Sequence, residues 1–218
     1  GPAGPDRKPV YAPLPWDPGV AGKDWAAWKL EHSVGPRDAV AVAYVFSTPP
    51  ASPAVVTGQG TTLLDFALAF DVSARASTID ARQGPYTESA MEFMTPPDEM
   101  MKAYVARGGK LLVAHGVADP VFSALDTAAW FDRFTAHHGA STADRARLYL
   151  VPGMNHSRDG VATDQFDLVS ALVAWVERGE RPEALVATAR GPGSNLPNPE
   201  LPASWSTGRT RLLCPYPQ

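Results

Sequence analysis

The chain has 218 residues, and its 19 Lys and Arg against 23 Asp and Glu give a formal net charge of −4. Proteins that bind nucleic acid or an anionic membrane need clustered Lys and Arg, so this composition argues against both partners. No apolar stretch approaches the roughly 20 residues that span a bilayer. The first residues lack the basic and then apolar pattern of a signal peptide, and the length allows one or two domains.

Residues 1–97 have an irregular pattern that is rich in proline and in scattered aromatic side chains. Asp24–Leu30 could form one or two helical turns. Val40–Phe46 could be a strand or a buried helix, because a run this short fits both periods. We interpret the region as a cap or insertion without a complete core of its own.

Residues 98–187 show regular alternation of helix and strand signals. Thr95 and the two prolines that follow it are typical of a helix start, and this helix should end at Gly108. Lys110–His115 is a short apolar run of the kind found in parallel sheets. An apolar stripe then predicts a helix that ends before Gly139, and Arg147–Val151 predicts a second strand.

A further helix is predicted after the second strand, so the predicted order of elements is helix, strand, helix, strand, helix. Asp164 is expected to cap the last helix, which should end at Gly179. The order predicts a β-α-β crossover and therefore an α/β fold with a parallel sheet. The tail, residues 189–218, is expected to be a loop rich in proline and glycine.

Asp119 and His156 lie in the loops that directly follow the two predicted strands. Because functional sites of open α/β sheets form beyond the carboxyl ends of the strands, we expect these side chains to lie close together. An acid that orients a histidine, and a histidine that takes a proton from a nucleophile, need that adjacency. The chain order of acid before histidine is that of α/β hydrolases. An isolated pair of this kind also fits turn-forming or surface residues.

The sequence contains no serine in the motif expected of a hydrolase nucleophile. A hydrolase serine requires a strand, then Gly-x-Ser-x-Gly, then a helix. The nearest match to this motif surrounds Ser141. Because Ser141 follows a predicted helix and precedes a predicted strand, it is not expected to be the nucleophile. Two alternatives stay open, namely Ser141 in an unorthodox arrangement and a non-catalytic fragment or subunit that serves as a binding or structural module.

Several segments in one order resemble the tannase and feruloyl esterase family, and most closely its bacterial branch of terephthalate monoester hydrolases. The resemblance covers nearly the whole chain and is densest from about Ser89 onward. The segments that carry it are Lys110–Asp119, Phe122–Thr127, Leu150–His156, Asp164–Asp167, Leu172–Glu177 and Arg209–Pro217.

The resemblance implies a carboxylesterase of α/β-hydrolase fold with a large inserted lid. Residues 1–97 would be the C-terminal part of the lid, and residues 98–218 the C-terminal part of the catalytic domain. Asp119 and His156 match the acid and histidine of a Ser-His-Asp triad, whose serine would come from an upstream segment or a companion chain. The expected substrate is a small aromatic acid ester of the feruloyl, galloyl or terephthalate monoester type.

The resemblance also implies features around the site. Trp28 matches an aromatic wall of the substrate pocket, for which ordinary packing is the alternative. Arg37 lies near an arginine that binds a free carboxylate by bidentate pairing, for which a solvated surface arginine is the alternative. A structural calcium would lie in a part of the lid outside this sequence, with no cofactor in this chain. The expected location is secreted or periplasmic.

Two positions depart from the family pattern. Ser157 stands where the family usually has a cysteine bridged to another beside the serine, so His156 would be held by packing and hydrogen bonds alone. Cys214 matches a family cysteine whose partner lies beyond Gln218, and a single cysteine cannot form an internal disulfide. We therefore expect the chain to be cut at both ends or to belong with a second polypeptide.

Overall fold

The structure is a computed structural model that describes residues 3, 6–52, 54, 63–95 and 100–217. The chain divides into two compact units. The first unit comprises Gly1–Pro13 and Ala27–Asp98, and the second comprises Leu14–Ala26 and Glu99–Gln218. Within the described ranges, the helices are all too short or too polar to cross a membrane.

Helices and strands are numbered here in chain order. The α-helices are α1 (Lys23–Ala26), α2 (Leu63–Ala69), α3 (Val72–Arg75), α4 (Ala90–Met94), α5 (Lys102–Ala106), α6 (Ala124–His138) and α7 (Leu168–Arg178). The strands are β1 (Leu111–Gly116), β2 (Ala146–Val151), β3 (Leu185–Thr188) and β4 (Thr210–Leu213). Tighter 3-10 turns occur at Pro18–Ala21, Ala76–Thr78 and Gly139–Asp144, and wider π-helical turns at Ala27–Asp38 and Ala41–Val45.

The first unit consists of short helical segments. The region that fits either a strand or a helix by sequence is helical over Ala41–Val45. Helix α4 begins with a capping box, in which the Ser89 hydroxyl accepts from the Glu92 N–H and the Glu92 carboxylate accepts from the Ser89 N–H. The assignment of residues 1–97 to a lid stays a prediction.

The segment Leu14–Ala26 belongs to the second unit, whereas the sequence pattern groups it with residues 1–97. Its contacts explain the difference. The Asp17 carboxylate accepts a hydrogen bond from the Gly153 N–H at 3.2 Å, and the Glu200 carboxylate accepts from the Lys23 N–H at 3.1 Å. These partners lie more than 130 residues away along the chain, so no local pattern reveals them.

The sheet of the second unit confirms the predicted β-α-β crossover and the α/β fold class. Strand β1 pairs with β2 in parallel, with Leu111 opposite Ala146 and Gly116 opposite Val151. Helix α6 connects the two strands and begins after Ser123, whose hydroxyl accepts from the Leu125 N–H. It ends at Gly139, where φ is 61°, as the sequence predicts.

The two faces of β2 carry different parts of the core. Successive residues of a strand point to opposite faces. Ala146 and Leu148 pack with Phe134 of α6, whereas Tyr149 and Val151 pack with residues of β3 and β4. All five side chains are buried, and full burial of a side chain such as Leu148 contributes about 1.5–3 kcal/mol. The packing on both faces fixes the position where β2 ends and the loop after it begins.

The predicted start of the helix before β1 is wrong. Helix α5 begins only at Lys102, because Met100 and Met101 have φ of 46° and 55° and so interrupt a right-handed helix. Thr95 instead ends α4, with its N–H donating to the Met91 carbonyl. Residues 96–99, which include the two prolines of the predicted start, lie outside the described residues.

The predicted cap of the last helix is also wrong, although its predicted end at Gly179 is confirmed. Asp167 is the capping residue of α7, since its carboxylate accepts from the Ser170 N–H at 2.8 Å. Asp164 is buried and forms an ion pair with Arg190 instead. A buried partner 26 residues away outcompetes the local capping role.

The tail contains a strand that its proline- and glycine-rich sequence does not predict. Strand β4 pairs with β3 in antiparallel fashion, with Leu185 opposite Leu213 and Thr188 opposite Thr210. Leu213 is buried in the core that also holds Leu185. A strand of four residues has little stability alone, so pairing and burial against the core decide its conformation.

Candidate active site

Asp119 and His156 meet at the carboxyl ends of β1 and β2. Asp119 lies in the turn that follows β1, and its backbone N–H donates to the Gly116 carbonyl at 3.2 Å. His156 follows the end of β2 by five residues. Because the two strands are parallel neighbours, their loops extend from the same edge of the sheet. The distance between His156 Nδ1 and Asp119 Oδ2 is 2.9 Å.

The Asp119 carboxylate is nearly buried, at 5% exposed, and both of its oxygens have partners. Oδ1 accepts hydrogen bonds from the backbone N–H groups of Val121 at 2.7 Å and Phe122 at 3.0 Å. Oδ2 contacts His156 and also lies 3.4 Å from His115 Nε2. These contacts hold the carboxylate in one orientation, with Oδ2 directed at the two imidazoles.

The pKa of Asp119 is low despite its burial. Burial alone would raise this pKa, but hydrogen bonds with the side chains of His115 and His156 and with the N–H groups of Val121 and Phe122 outweigh it. Together they lower the pKa from the usual 3.8 to about 2. Asp119 is therefore ionised at neutral pH and can stabilise a positive charge on His156.

The tautomer of His156 follows from its contact with Asp119. An ionised carboxylate only accepts hydrogen bonds, so Nδ1 of His156 carries a hydrogen, and in a neutral imidazole Nε2 would then carry the lone pair. The His156 side chain is 26% exposed, so the imidazole is accessible from outside the fold. The arrangement of an oriented imidazole on a buried carboxylate is that of the acid and base of a catalytic triad.

His115 and Phe122 complete the surroundings of the pair. Of the His115 ring nitrogens, Nδ1 lies 2.8 Å from the Thr127 hydroxyl and Nε2 lies 3.2 Å from the Phe122 carbonyl. The Phe122 ring is 56% exposed, with its centroid 5.6 Å from that of His156. Sequence reasoning does not identify Phe122 as a site residue, because an apolar residue in a loop carries no sign of exposure by itself.

The loop that carries His156 lies directly against the end of β1. A Cβ at Gly116 would lie 2.3 Å from the Met154 carbonyl oxygen and 2.4 Å from that of Asn155. Only glycine fits this approach of two backbones. Gly116 therefore sets the distance between the end of β1 and the residue before His156.

A cavity of about 190 Å³ lies beside the pair. Its walls include Ala114, Phe122, Met154 and Ser157 together with the pair itself. A larger cavity of about 380 Å³ elsewhere in the second unit is lined by Trp205 and Arg209, among others, and contains neither Asp119 nor His156. The chemistry identifies the smaller cavity as the candidate site.

Ser141 lies at the wrong end of β2 to serve His156. It belongs to the 3-10 turn Gly139–Asp144 that precedes the strand, and its hydroxyl donates to the His138 carbonyl at 2.8 Å. A strand of six residues spans roughly 20 Å. This separation excludes Ser141 as the nucleophile for His156.

Trp28 and Arg37 both lie in the first unit. The half-buried Trp28 ring makes an edge-to-face contact with His32, at 5.9 Å between centroids. The exposed Arg37 donates to the Ser33 hydroxyl and lies 3.7 Å from the Asp38 carboxylate. Their roles in a substrate pocket stay predictions.

The described part of the chain has no group of three or more His, Cys, Asp and Glu that could hold a metal ion. The Cys214 thiol is exposed and forms no disulfide. Ser157 lines the small cavity next to His156 and has a φ of 70°.

The chain is similar in sequence to known esterases. The chain is 36% identical to mono(2-hydroxyethyl) terephthalate hydrolase of Piscinibacter sakaiensis over 234 residues, which cover 100% of this chain and 36% of that protein. It is 28% identical to a probable feruloyl esterase B of Aspergillus niger over 138 residues, which cover 56% of this chain and 24% of that protein. The chain thus spans about a third or less of the length of these relatives.

A solved structure of feruloyl esterase B from Aspergillus oryzae aligns with a TM-score of 0.48 and 22% identity, over 75% of this chain and 32% of that one. The sequence model of the family described as tannase and feruloyl esterase matches residues 14–218. This match covers far more than half of the chain and confirms the α/β-hydrolase class of the fold. The chain belongs to the tannase and feruloyl esterase family.

Proposed function

We propose that this chain is the C-terminal part of a carboxylic ester hydrolase that acts on small aromatic acid esters through a Ser-His-Asp mechanism. The observation that carries the proposal is the 2.9 Å contact between His156 Nδ1 and the ionised Asp119 at the ends of two parallel strands. Family membership supports ester hydrolysis. The names of the relatives, a terephthalate monoester hydrolase and feruloyl esterases, support an aromatic acid as the acyl group.

His156 moves the proton in each half of the proposed reaction. Its Nε2 accepts the proton of a serine hydroxyl while the serine oxygen attacks the ester carbonyl. The imidazolium then gives this proton to the leaving alcohol, which leaves an acyl-enzyme. In the second half, His156 accepts a proton from water as the water attacks the acyl group, and it returns the proton to the serine oxygen. Asp119 holds the Nδ1–H tautomer and stabilises the imidazolium in both halves.

The serine is proposed to come from an N-terminal segment or a companion chain outside these 218 residues. Strand β1 supports the proposal, because among the described residues it pairs only with β2. Its residues Leu111–Ala114 are apolar but only half-buried, although such a continuous apolar run is typical of an interior strand covered on both faces. Its second edge therefore suits a further strand. The same segment would supply the N–H donors of the oxyanion hole, worth about 3–4 kcal/mol each.

The remaining expectations from the family are proposals of the same kind. Trp28 and Arg37 are proposed to contribute an aromatic wall and a carboxylate contact to the substrate pocket. A structural calcium is proposed to bind in a lid segment outside this sequence. The protein is proposed to be secreted or periplasmic, and no nucleic acid or membrane partner is proposed.

The test is the hydrolysis of a chromogenic aryl ester by the intact enzyme, including the segment that carries the serine. We expect His156→Ala and Asp119→Asn each to lower kcat by about 10⁴-fold without unfolding the protein, because the serine loses its base or the base loses its tautomer. His137→Ala, at an exposed histidine of α6, is the matched control and should retain full activity.

Unchanged kcat in folded His156→Ala and Asp119→Asn variants would reject the assignment. That outcome would favour the alternative function, in which the chain is a non-catalytic binding or structural module.

A further inference from the structure

His156 lies in a tight turn whose backbone needs support from outside. The Asn155 N–H donates to the Asp159 carbonyl at 3.2 Å, which closes a turn of five residues. Within it, Ser157 and Asp159 have φ of 70° and 64°. Residues with a Cβ rarely adopt this left-handed conformation, so contacts with the rest of the fold must hold the turn.

A buried ion network lies at the C-terminal end of this turn. Arg190, which is 9% exposed, donates from Nε and Nη2 to the Asp164 carboxylate at 3.0 and 2.6 Å and from Nη2 to Asp159 as well. Its Nη1 donates to the Leu196 carbonyl. The Asp164 carboxylate also accepts from the Asp159 backbone N–H at 2.7 Å. Arg190 and Asp164 thus fix both the side chain and the backbone of Asp159.

Further buried side chains hold the residues on either side of the turn. Asn198 donates from Nδ2 to the Gly160 carbonyl at 2.7 Å. At the other end, Asn155 is 0% exposed and donates from Nδ2 to the Asp24 carboxylate at 2.7 Å. The five residues that carry His156 are therefore attached at both ends to segments far away in the sequence.

We propose that Arg190 is a positioning residue for His156. By binding Asp159 and Asp164 together, its guanidinium holds the left-handed turn in the form that places His156 Nδ1 at 2.9 Å from Asp119. The inference rests on the proposed function, since it assigns Arg190 to the reaction that His156 serves. A lysine retains the charge but lacks the planar fork of donors that contacts both carboxylates and the Leu196 carbonyl at once.

The first experiment measures kcat and KM of the intact enzyme on a chromogenic aryl ester. Arg190→Lys should lower kcat by about 10- to 100-fold and leave KM within about 2-fold, because it displaces the base without touching the substrate. Arg178→Lys is the matched control, since Arg178 pairs with Glu180 in an exposed ion pair, and its kcat should not change. A folded Arg190→Lys variant with unchanged kcat would overturn the proposal.

A second measurement does not depend on activity. Nitrogen NMR of the His156 imidazole should show one tautomer, protonated at Nδ1, in the wild-type protein and a mixture of tautomers in Arg190→Lys. An unchanged tautomer in the variant would overturn the positioning role even if activity fell. If the wild-type enzyme showed no esterase activity, the proposed function would fail, while the tautomer comparison would still decide the role of Arg190.

Asp159→Asn covers the case in which Arg190→Lys does not fold. This variant weakens one arm of the network and leaves the pair between Arg190 and Asp164 intact. We expect the same changes in kcat and tautomer in a weaker form, with kcat lowered by about 3- to 10-fold. Wild-type kcat and a wild-type tautomer in Asp159→Asn would overturn the proposal.

Discussion

The Asp119 carboxylate is both buried and ionised, two properties that normally conflict. It is buried, which disfavours the charged form, yet two backbone N–H groups and two imidazoles favour that form more strongly. The result is a charge held next to His156 in a place where water screens it poorly. A carboxylate that is ionised at every pH where an imidazole is neutral suits the orienting role in a triad.

The low pKa of Asp119 predicts a contribution to stability that depends on pH. Because the pKa is about 2 in the fold and near 3.8 in the unfolded chain, the contribution is complete above about pH 4 and is lost as the pH falls towards 2. Its size is about 2 kcal/mol. We therefore expect the difference in free energy of unfolding between wild type and Asp119→Asn to shrink by about that amount between pH 5 and pH 2.

Urea unfolding at a series of pH values measures this difference. Other carboxylates titrate alike in both proteins, so they cancel in the comparison. A difference that stays constant from pH 5 to pH 2 would show that the fold does not depress the pKa of Asp119.

At the scale of elements, the site depends on how β1 and β2 end. The strands are in register, so Gly116 and Val151 lie opposite each other and both loops start at the same level. The loop after β2 then lies over Gly116, where two backbone carbonyl oxygens occupy the space of a side chain. This contact brings the residues before His156 to a fixed distance from β1, and hence from the turn that carries Asp119.

Gly116→Ala should separate the two loops. A Cβ at 2.3 Å from a backbone oxygen cannot be accommodated by a rotamer change, so the loop of His156 must move by about 1 Å. A shift of that size is expected to lower kcat by about 100-fold, as measured with a chromogenic ester. Gly179→Ala is the control, because Gly179 has a φ of 72° but open space around it.

The control variant should lose about 1 kcal/mol of stability through backbone strain and keep its kcat. Equal kcat values for Gly116→Ala and wild type would show that the loop tolerates the displacement, and that the close approach does not set the geometry of the pair.

Among its described residues, the second unit holds the pair of Asp119 and His156 but no serine in the sequence context of a nucleophile. Ser141 is at the far end of β2, and its hydroxyl is directed to its own turn. The apolar and half-buried β1 is paired along one edge in the described structure. The chain also covers only about a third of the length of the terephthalate monoester hydrolase that it matches. Together these features favour a serine that reaches His156 from another segment.

A serine-reactive phosphonofluoridate tests the origin of the nucleophile. We expect the intact enzyme to be labelled once, on a peptide that contains Gly-x-Ser-x-Gly and lies outside these 218 residues, because only a serine activated by His156 reacts quickly. Peptide mass spectrometry identifies the site. The His156→Ala variant, which lacks the base, should remain unlabelled. A label on any serine of this chain would contradict the prediction.

Local patterns in the sequence are enough to predict the β-α-β unit and the candidate pair. The apolar runs of both strands and the glycines that end α6 and α7 are local signals, since they reflect burial and backbone conformation at single positions. The parallel crossover then places Asp119 and His156 at one edge of the sheet, which is why two loops 37 residues apart could be paired without coordinates.

Features that depend on distant partners could not be predicted from local patterns and become visible only in the fold. The local sequence predicts Asp164 as a helix cap, but Asp164 is buried in an ion pair with Arg190. Leu14–Ala26 joins the second unit through hydrogen bonds to residues more than 130 positions away. The pairing of β4 with β3 is of the same kind. Such contacts are stabilised by burial and by charges that the fold brings together. A local pattern of residue types does not indicate which distant residue will be the partner.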